Sequence, residues 1–125
     1  MLVDLERGVA NDEVDDRIGE QDRAISVITV SELLHGVHHS RGARHNRRSA
    51  FVEHLLTQLP AIAVTERVAR VHADIWAQLE QRGEPIGAHD LWIAATALAH
   101  GMAVATLKVA EFSRVNGLNV IAPAS

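Results

Sequence analysis

The sequence predicts an α/β domain in which helices cover a short parallel sheet. Hydrophobic residues make up 47% of the 125-residue chain, yet there are only two Phe, two Trp and no Tyr, so the core must be built from aliphatic side chains. Short aliphatic and β-branched runs alternate along the chain with stretches of helical periodicity. Such an alternation favours right-handed crossovers between parallel strands. At this length we expect a single domain over residues 1–125.

The individual strands and helices follow from local residue patterns. Runs rich in Val, Ile and Ala predict buried strands at residues 24–28, 61–64, 102–106 and 117–121. Thr29 is followed three residues later by Glu32, a pattern typical of a helix N-terminus. Helices are predicted at these places: one or two short ones within residues 4–21, one from Thr29 to Val37, one at 43–59, one from Thr65 to Gly83, and one that begins near Asp90.

Composition and charge limit the classes of protein to which this chain can belong. The formal net charge is −4, with acidic residues concentrated in residues 4–22 and a basic segment that contains Arg41, Arg44, Arg47 and Arg48. This basic segment can contact phosphates or an acidic partner, or it can form a solvated helix face. The absence of Cys excludes disulfides and thiolate zinc sites and fits a reducing cytosol. With no leader and no apolar run near the roughly 20 residues of a membrane span, we expect a cytoplasmic protein without membrane contact.

Residues 87–101 are the most informative segment, because they place Asp90 in the first turn of a helix with a small, apolar face. A carboxylate that points towards a core is costly unless it is paired or binds a metal. Glu32 follows the predicted strand at 24–28, so both side chains are expected at the edge where parallel strands have their carboxyl ends. Carboxylates there suit Mg²⁺ or Mn²⁺. Two other interpretations remain open: Glu32 completes a capping box with Thr29, and Asp90 only stabilises its helix N-terminus.

Three segments of the chain form a recognisable set: Asp-Leu-Glu-Arg-Gly at residues 4–8, residues 26–36, which include Glu32, and residues 87–90, which include Asp90, with residues 93–97. These segments resemble those of PIN-domain ribonuclease toxins of the VapC type. Residues near the C-terminus extend the resemblance over essentially the whole chain: 104–106, Glu111, Phe112 and 115–120. The resemblance implies a three-layer α/β/α PIN-like domain around a short parallel sheet.

The same resemblance implies a Mg²⁺- or Mn²⁺-dependent endoribonuclease that cleaves cellular RNA as the toxin of a type II toxin–antitoxin pair. Asp90 is implied to be a direct metal ligand, and Glu32 a ligand or the residue that orients the attacking water. Glu111 is the third candidate ligand. The implied partners are a cognate antitoxin, an RNA substrate and a second copy in a homodimer, with the basic segment contacting RNA phosphates or the antitoxin.

The N-terminus departs from the family's pattern. The family carries an aspartate in a first, central strand, whereas only Met1, Leu2 and Val3 precede Asp4 here. We therefore expect this strand to be largely missing and the chain to be N-terminally shortened, through a start codon assigned too late or through gene decay. Asp4 is the available substitute, but in the family's pattern this position belongs to the following helix. Losing a central strand would leave buried N–H and C=O groups unpaired at about 1–3 kcal/mol each.

Lys108 is the second departure. The family's Thr-x-Asn or Thr-x-Asp motif reads Thr106-Leu107-Lys108 here, and an ammonium offers no acceptor to a metal ion. Lys108 either points into the site and neutralises Glu32 and Asp90, or turns to solvent and leaves Glu111 to approach the site. Both orientations weaken a metal site. The alternative function is therefore a catalytically degenerate PIN domain that binds an antitoxin without cleaving RNA.

The remaining polar and aromatic residues carry weaker signals. The chain has eight histidines but no His-Glu-x-x-His motif, so surface or partly buried positions are favoured over a histidine metal site. His89 is expected either to contact RNA or to hydrogen-bond within its loop. Trp76 and Trp92 are predicted to pack in the core or in a dimer interface rather than to stack on bases.

Overall fold

A parallel sheet lies at the centre of the fold. The computed structural model describes residues 1–5 and 23–122. They contain these strands: β1 (Leu2–Val3), β2 (Ile25–Ser26), β3 (Ala61–Ile62), β4 (Val104–Ala105) and β5 (Val120–Ile121). β1 pairs with β4, β4 with β5, and β2 with β3, in each case in parallel. A parallel bridge between Leu2 and Ala24 joins the two groups of strands. The resulting order is β3-β2-β1-β4-β5.

Five helices in the described residues connect and cover these strands: α1 (Val27–His39), α2 (Gly42–Gln58), α3 (Glu66–Arg82), α4 (Ala88–Ala99) and α5 (Val109–Phe112). The predicted boundaries of α3 are confirmed. The Thr65 hydroxyl accepts a hydrogen bond from the Val68 N–H, and Gly83 ends the helix in the left-handed conformation at φ +67°. None of the helices in this part of the chain combines the length and the apolar character that crossing a membrane requires.

Two hydrophobic clusters pack on opposite faces of the sheet. Successive strand residues point to opposite faces, and β1 sends Leu2 to one cluster and Val3 to the other. The Leu2 cluster is completed by α3 and α4, and the Val3 cluster by α1 and α2. The predicted α/β class and its three layers are therefore confirmed.

β1 occupies the centre of the sheet. The Val3 N–H donates to the Ala24 carbonyl on one side, and the Leu2 N–H donates to the Ala103 carbonyl on the other, both at 2.8 Å. We predicted that a largely missing first strand would leave unpaired N–H and C=O groups on both sides. This prediction is wrong, because β1 forms hydrogen bonds with both of its neighbours. Residues 1–3 are sufficient because every strand of this sheet is only two residues long. The four strands that the sequence predicted are each longer than the two-residue strands observed.

The start of α1 differs from the prediction. The helix begins at Val27, and the hydroxyl of Ser26 caps it by accepting a hydrogen bond from the Ile28 N–H at 3.0 Å. Thr29 is therefore not the N-cap but a fully buried residue of the first turn. This position excludes the capping box of Thr29 and Glu32. The helices predicted within residues 4–21 fall mainly on residues 6–22, which lie outside the described residues.

Thr29 provides a test of this packing. Its hydroxyl is buried and has no hydrogen-bond partner among the described residues, whereas the buried Thr96 hydroxyl donates to the Trp92 carbonyl at 2.8 Å. Thr29→Val should raise the free energy of unfolding by roughly 1 kcal/mol, because an unsatisfied polar group leaves the core. Thr96→Val is the matched control and should lower it by about 1 kcal/mol. Urea unfolding measures both, and a loss of stability in Thr29→Val equal to that in Thr96→Val would contradict the assignment.

Candidate functional site

Acidic side chains from separate segments meet where the strands have their carboxyl ends. Asp4 follows β1, and Asp90 lies in the first turn of α4; they are only 7% and 5% exposed. Glu32 of α1 lines the same cavity of about 380 Å³ as Asp90, together with Gly87, His89 and Lys108. The structure therefore brings Glu32 and Asp90 to one site, as the topology predicts for helices that begin at this edge.

Lys108 points into this site. Its ammonium nitrogen lies 3.0 Å from Asp90 Oδ2 and 3.4 Å from Asp90 Oδ1. The Asp90 side chain is 7% exposed and that of Lys108 is 36% exposed, so the pair reaches from the core to the rim of the cavity. Of the two orientations left open by the sequence, the structure has the one in which Lys108 neutralises a site carboxylate.

Glu111 fixes the loop that precedes α4. Its Oε1 accepts a hydrogen bond from the Gly87 N–H at 2.7 Å. A Cβ at Gly87 would lie 3.3 Å from Asp90 Oδ2 and 3.5 Å from Glu111 Oε1, so a side chain there would crowd both carboxylates. Glu111 therefore approaches the site even though Lys108 also points into it, whereas the sequence predicted one or the other.

Asp4 is the site residue that sequence reasoning placed wrongly. Its N–H donates to the Ala105 carbonyl, so Asp4 continues the β1 ladder instead of beginning a helix. Its Oδ2 accepts a hydrogen bond from the Thr106 hydroxyl at 2.7 Å, and that hydroxyl accepts one from the Lys108 N–H at 2.9 Å. Asp4 directly follows the apolar pair Leu2 and Val3, which is where a parallel strand presents a functional side chain, but a run of two residues is too short to reveal the strand from the sequence.

The electrostatics of the site favour protons or cations. Burial raises the pKa of Asp4 to about 6; the hydrogen bond from Thr106 opposes this rise, whereas the charges of Asp90 and Glu32 add to it. Burial also raises the pKa of Asp90, against the hydrogen bond from Lys108 and its charge, and Glu111 raises it further. One ammonium therefore does not offset the negative charge collected here.

The donor chemistry of the site fits a hard divalent cation. Asp4, Glu32, Asp90 and Glu111 supply only carboxylate oxygens, the ligand type that Mg²⁺ and Mn²⁺ prefer. Among residues 1–5 and 23–122, however, no three His, Asp or Glu side chains are grouped so that they could hold a metal ion. The Lys108 ammonium lies against Asp90, where a cation would bind, so a metal ion would have to displace it.

The other residues singled out in the sequence have more varied positions. His89 is 63% exposed at its side chain, and its Nδ1 lies 3.3 Å from Glu32 Oε2, so it contacts the site instead of its own loop. Arg41, Arg44 and Arg47 are exposed at the start of α2, in keeping with either interpretation of the basic segment.

The two tryptophans differ in their exposure. Trp92 is partly buried and stacks on His72, with ring centroids 3.6 Å apart. Trp76 is 52% exposed, so it does not pack in the core; of the two predicted locations, only a dimer interface remains.

The raised pKa of Asp4 predicts how stability depends on pH. The folded state binds the Asp4 proton more tightly than the unfolded state does, so this group's contribution to stability is present below about pH 4 and is lost as pH rises to about 6. Asp4→Asn keeps an acceptor for Thr106 and should raise the free energy of unfolding at pH 7 by up to about 3 kcal/mol. Urea unfolding at pH 5 and pH 7 in EDTA measures this. A gain at pH 7 no larger than at pH 5 would contradict it.

Comparisons with known proteins identify the family of this chain. Residues 2–118 match the model of the PIN domain. Ribonuclease VapC1 of Rickettsia felis is 36% identical over 132 residues, covering 100% of this chain and 92% of that protein. The tRNA(fMet)-specific endonuclease VapC of Salmonella typhimurium is 32% identical over 96 residues, covering 77% of this chain and 71% of that protein.

A solved structure has the same fold. The DNA-bound VapBC of Salmonella typhimurium contains a chain that superimposes with a TM-score of 0.80 at 28% identity, covering 89% of this chain and 84% of that one. This chain belongs to the PIN-domain family and, within it, to the VapC ribonucleases.

Proposed function

We propose that this chain is a Mg²⁺-dependent endoribonuclease and the toxin of a type II toxin–antitoxin pair. The observation that carries the proposal is the convergence of Asp4, Glu32, Asp90 and Glu111 at the carboxyl edge of the sheet. The relatives of this chain are named ribonuclease and endonuclease, which supports the same reaction class. Mn²⁺ is the alternative ion, because it accepts the same oxygen ligands.

The roles of the residues follow from their surroundings. Asp90, Glu32 and Glu111 are the proposed ligands, to which we add Asp4. A bound divalent ion supplies charge that polarises a phosphodiester and lowers the pKa of a water molecule. Thr106 orients the Asp4 carboxylate, and the Glu111 carboxylate holds the Gly87 N–H and hence the start of α4. The Glu32 side chain is 25% exposed, so water can reach it, and we assign to it the orientation of the attacking water.

The proposed substrate is cellular RNA, and the proposed partner is a cognate antitoxin protein. A Salmonella relative is named for cleavage of tRNA(fMet), which makes this tRNA the first substrate to test. The similar chain in a VapBC complex supports the antitoxin. The exposed arginines of the basic segment supply phosphate or antitoxin contacts. We also propose that the protein acts in the cytoplasm, where both partners occur.

A homodimer is part of the proposal. Trp76 is half exposed on α3 beside an apolar cavity of about 430 Å³ that Leu79, Pro85, Ile86 and Leu91 help to line. An aromatic side chain at such a cavity is typical of the centre of a protein interface. A second copy of the chain would cover it.

The second candidate function is antitoxin binding without cleavage. The 3.0 Å ion pair between Lys108 and Asp90 favours it, because the ammonium competes with a metal ion for the most buried of the proposed ligands. Lys108 is partly exposed, so the side chain has room to leave the site when a divalent ion binds. Metal-dependent activity therefore decides between the two functions.

Asp90→Asn should lower Mg²⁺-dependent cleavage of tRNA(fMet) at least about a hundredfold, equivalent to roughly 3 kcal/mol of transition-state stabilisation, because a metal ligand loses its charge. Gel analysis of end-labelled RNA, with and without EDTA, measures the rate. Glu53→Gln removes an exposed carboxylate on α2 and serves as the control with unchanged activity. Equal activity of Asp90→Asn and the wild type would remove Asp90 from the mechanism.

Lys108→Asn should increase the affinity for Mg²⁺ and the cleavage rate several-fold, because it removes the competing ammonium and restores an amide acceptor. Calorimetric titration with Mg²⁺ and the same cleavage assay measure the two effects. Cleavage by Lys108→Asn alone would show that the natural chain is the degenerate form. An unchanged Mg²⁺ affinity would contradict the competition between Lys108 and the metal.

A further inference from the structure

Two histidines on α1 form a pair that the proposed ribonuclease site does not use. His35 and His39 are four residues apart, and their Nε2 atoms lie 3.0 Å from each other. The rings are nearly perpendicular, at 84°, with centroids 4.4 Å apart. Residues i and i+4 share one face of a helix, so the backbone of α1 already fixes the relative position of the two side chains.

The separation of the two nitrogens matches that of two ligands of one metal ion. Zinc–imidazole bonds are about 2.0–2.1 Å long, and two such bonds at an angle of about 95° end on nitrogens about 3.0 Å apart. Without a metal the same contact is an N–H···N hydrogen bond, in which one ring donates from Nε2. A metal ion would replace that proton once both rings carry their hydrogen on Nδ1.

We propose that His35 and His39 form a bidentate site for a divalent transition-metal ion of the zinc class. Imidazole nitrogen is a borderline ligand that suits Zn²⁺, Cu²⁺ and Ni²⁺, whereas Mg²⁺ requires oxygen. Pairs of histidines at i and i+4 on one helix face are a recognised way to chelate zinc. The site therefore selects a different class of ion from the carboxylates around Asp90.

The surroundings provide the rest of the coordination sphere. Both histidines are exposed, so water can fill the open positions. His35 also lines a cavity of about 320 Å³ together with Ser31, Glu32 and His89. Glu32 therefore lines the same cavity as His35, and its carboxylate makes that cavity more favourable for a cation. Since only two side chains chelate, the ion exchanges readily and affinity depends on both of them.

In the experiment, Zn²⁺ is titrated into the untagged full chain and the heat of binding is measured by calorimetry. The buffer contains saturating Mg²⁺ and no chelator. We expect one Zn²⁺ to bind per chain, with affinity reduced at least tenfold in His35→Ala and in His39→Ala. His38→Ala is the matched control, because it removes the adjacent exposed histidine of the same helix, and it should bind as the wild type does. Circular dichroism verifies that the variants are folded.

Asp90→Asn separates this proposal from the proposed ribonuclease function, because its Zn²⁺ affinity should be unchanged even though its cleavage activity is lost. A second readout is the ¹⁵N shift of the histidine Nε2 atoms, which should move on Zn²⁺ addition for His35 and His39 and not for His38. The proposal is overturned if the wild type binds no Zn²⁺, if both paired variants bind it normally, or if only Asp90→Asn loses it.

Discussion

Two carboxylates are buried at the carboxyl edge of the sheet, and the segments around them are arranged to accommodate that burial. Asp4 and Asp90 are removed from water almost completely, and burial raises the pKa of both. Lys108 and the Thr106 hydroxyl partly compensate by contacting one carboxylate each. Such an arrangement opposes the stability of the isolated chain and favours any ligand that brings positive charge.

The fold makes this arrangement possible by close packing of small residues. Ala94, Ala95 and Ala97 of α4 are fully buried, so the helix that carries Asp90 packs closely against its neighbours. Gly87 leaves room for two carboxylate oxygens within 3.5 Å of the position that a Cβ would take. β1, at the centre of the sheet, brings Asp4 into the same space. Larger residues at these positions would push the segments apart and separate the acidic groups.

Two kinds of donor atom lie side by side on this edge of the protein. The carboxylates offer oxygen and the histidine pair on α1 offers nitrogen, and these donor types suit hard and borderline cations respectively. Glu32 lies between them, because it lines a cavity with Asp90 and another with His35. Its contact with His89 lies on the same side of the molecule. The Glu32 carboxylate thus faces both cavities.

The sequence was enough to predict the α/β class, the parallel sheet and the meeting of Glu32 with Asp90, because these follow from periodicity and from the geometry of strand–helix crossovers. It did not place Asp4: two apolar residues are too short a run to reveal a strand, and only the pairing of Leu2 with both neighbours decided that position. Ser26 replaced Thr29 as the cap because the strand ended earlier than its apolar run suggested. The direction of Lys108 likewise depends on tertiary structure, since nothing in the local sequence distinguishes a lysine in solvent from one whose ammonium lies 3.0 Å from a buried carboxylate of α4.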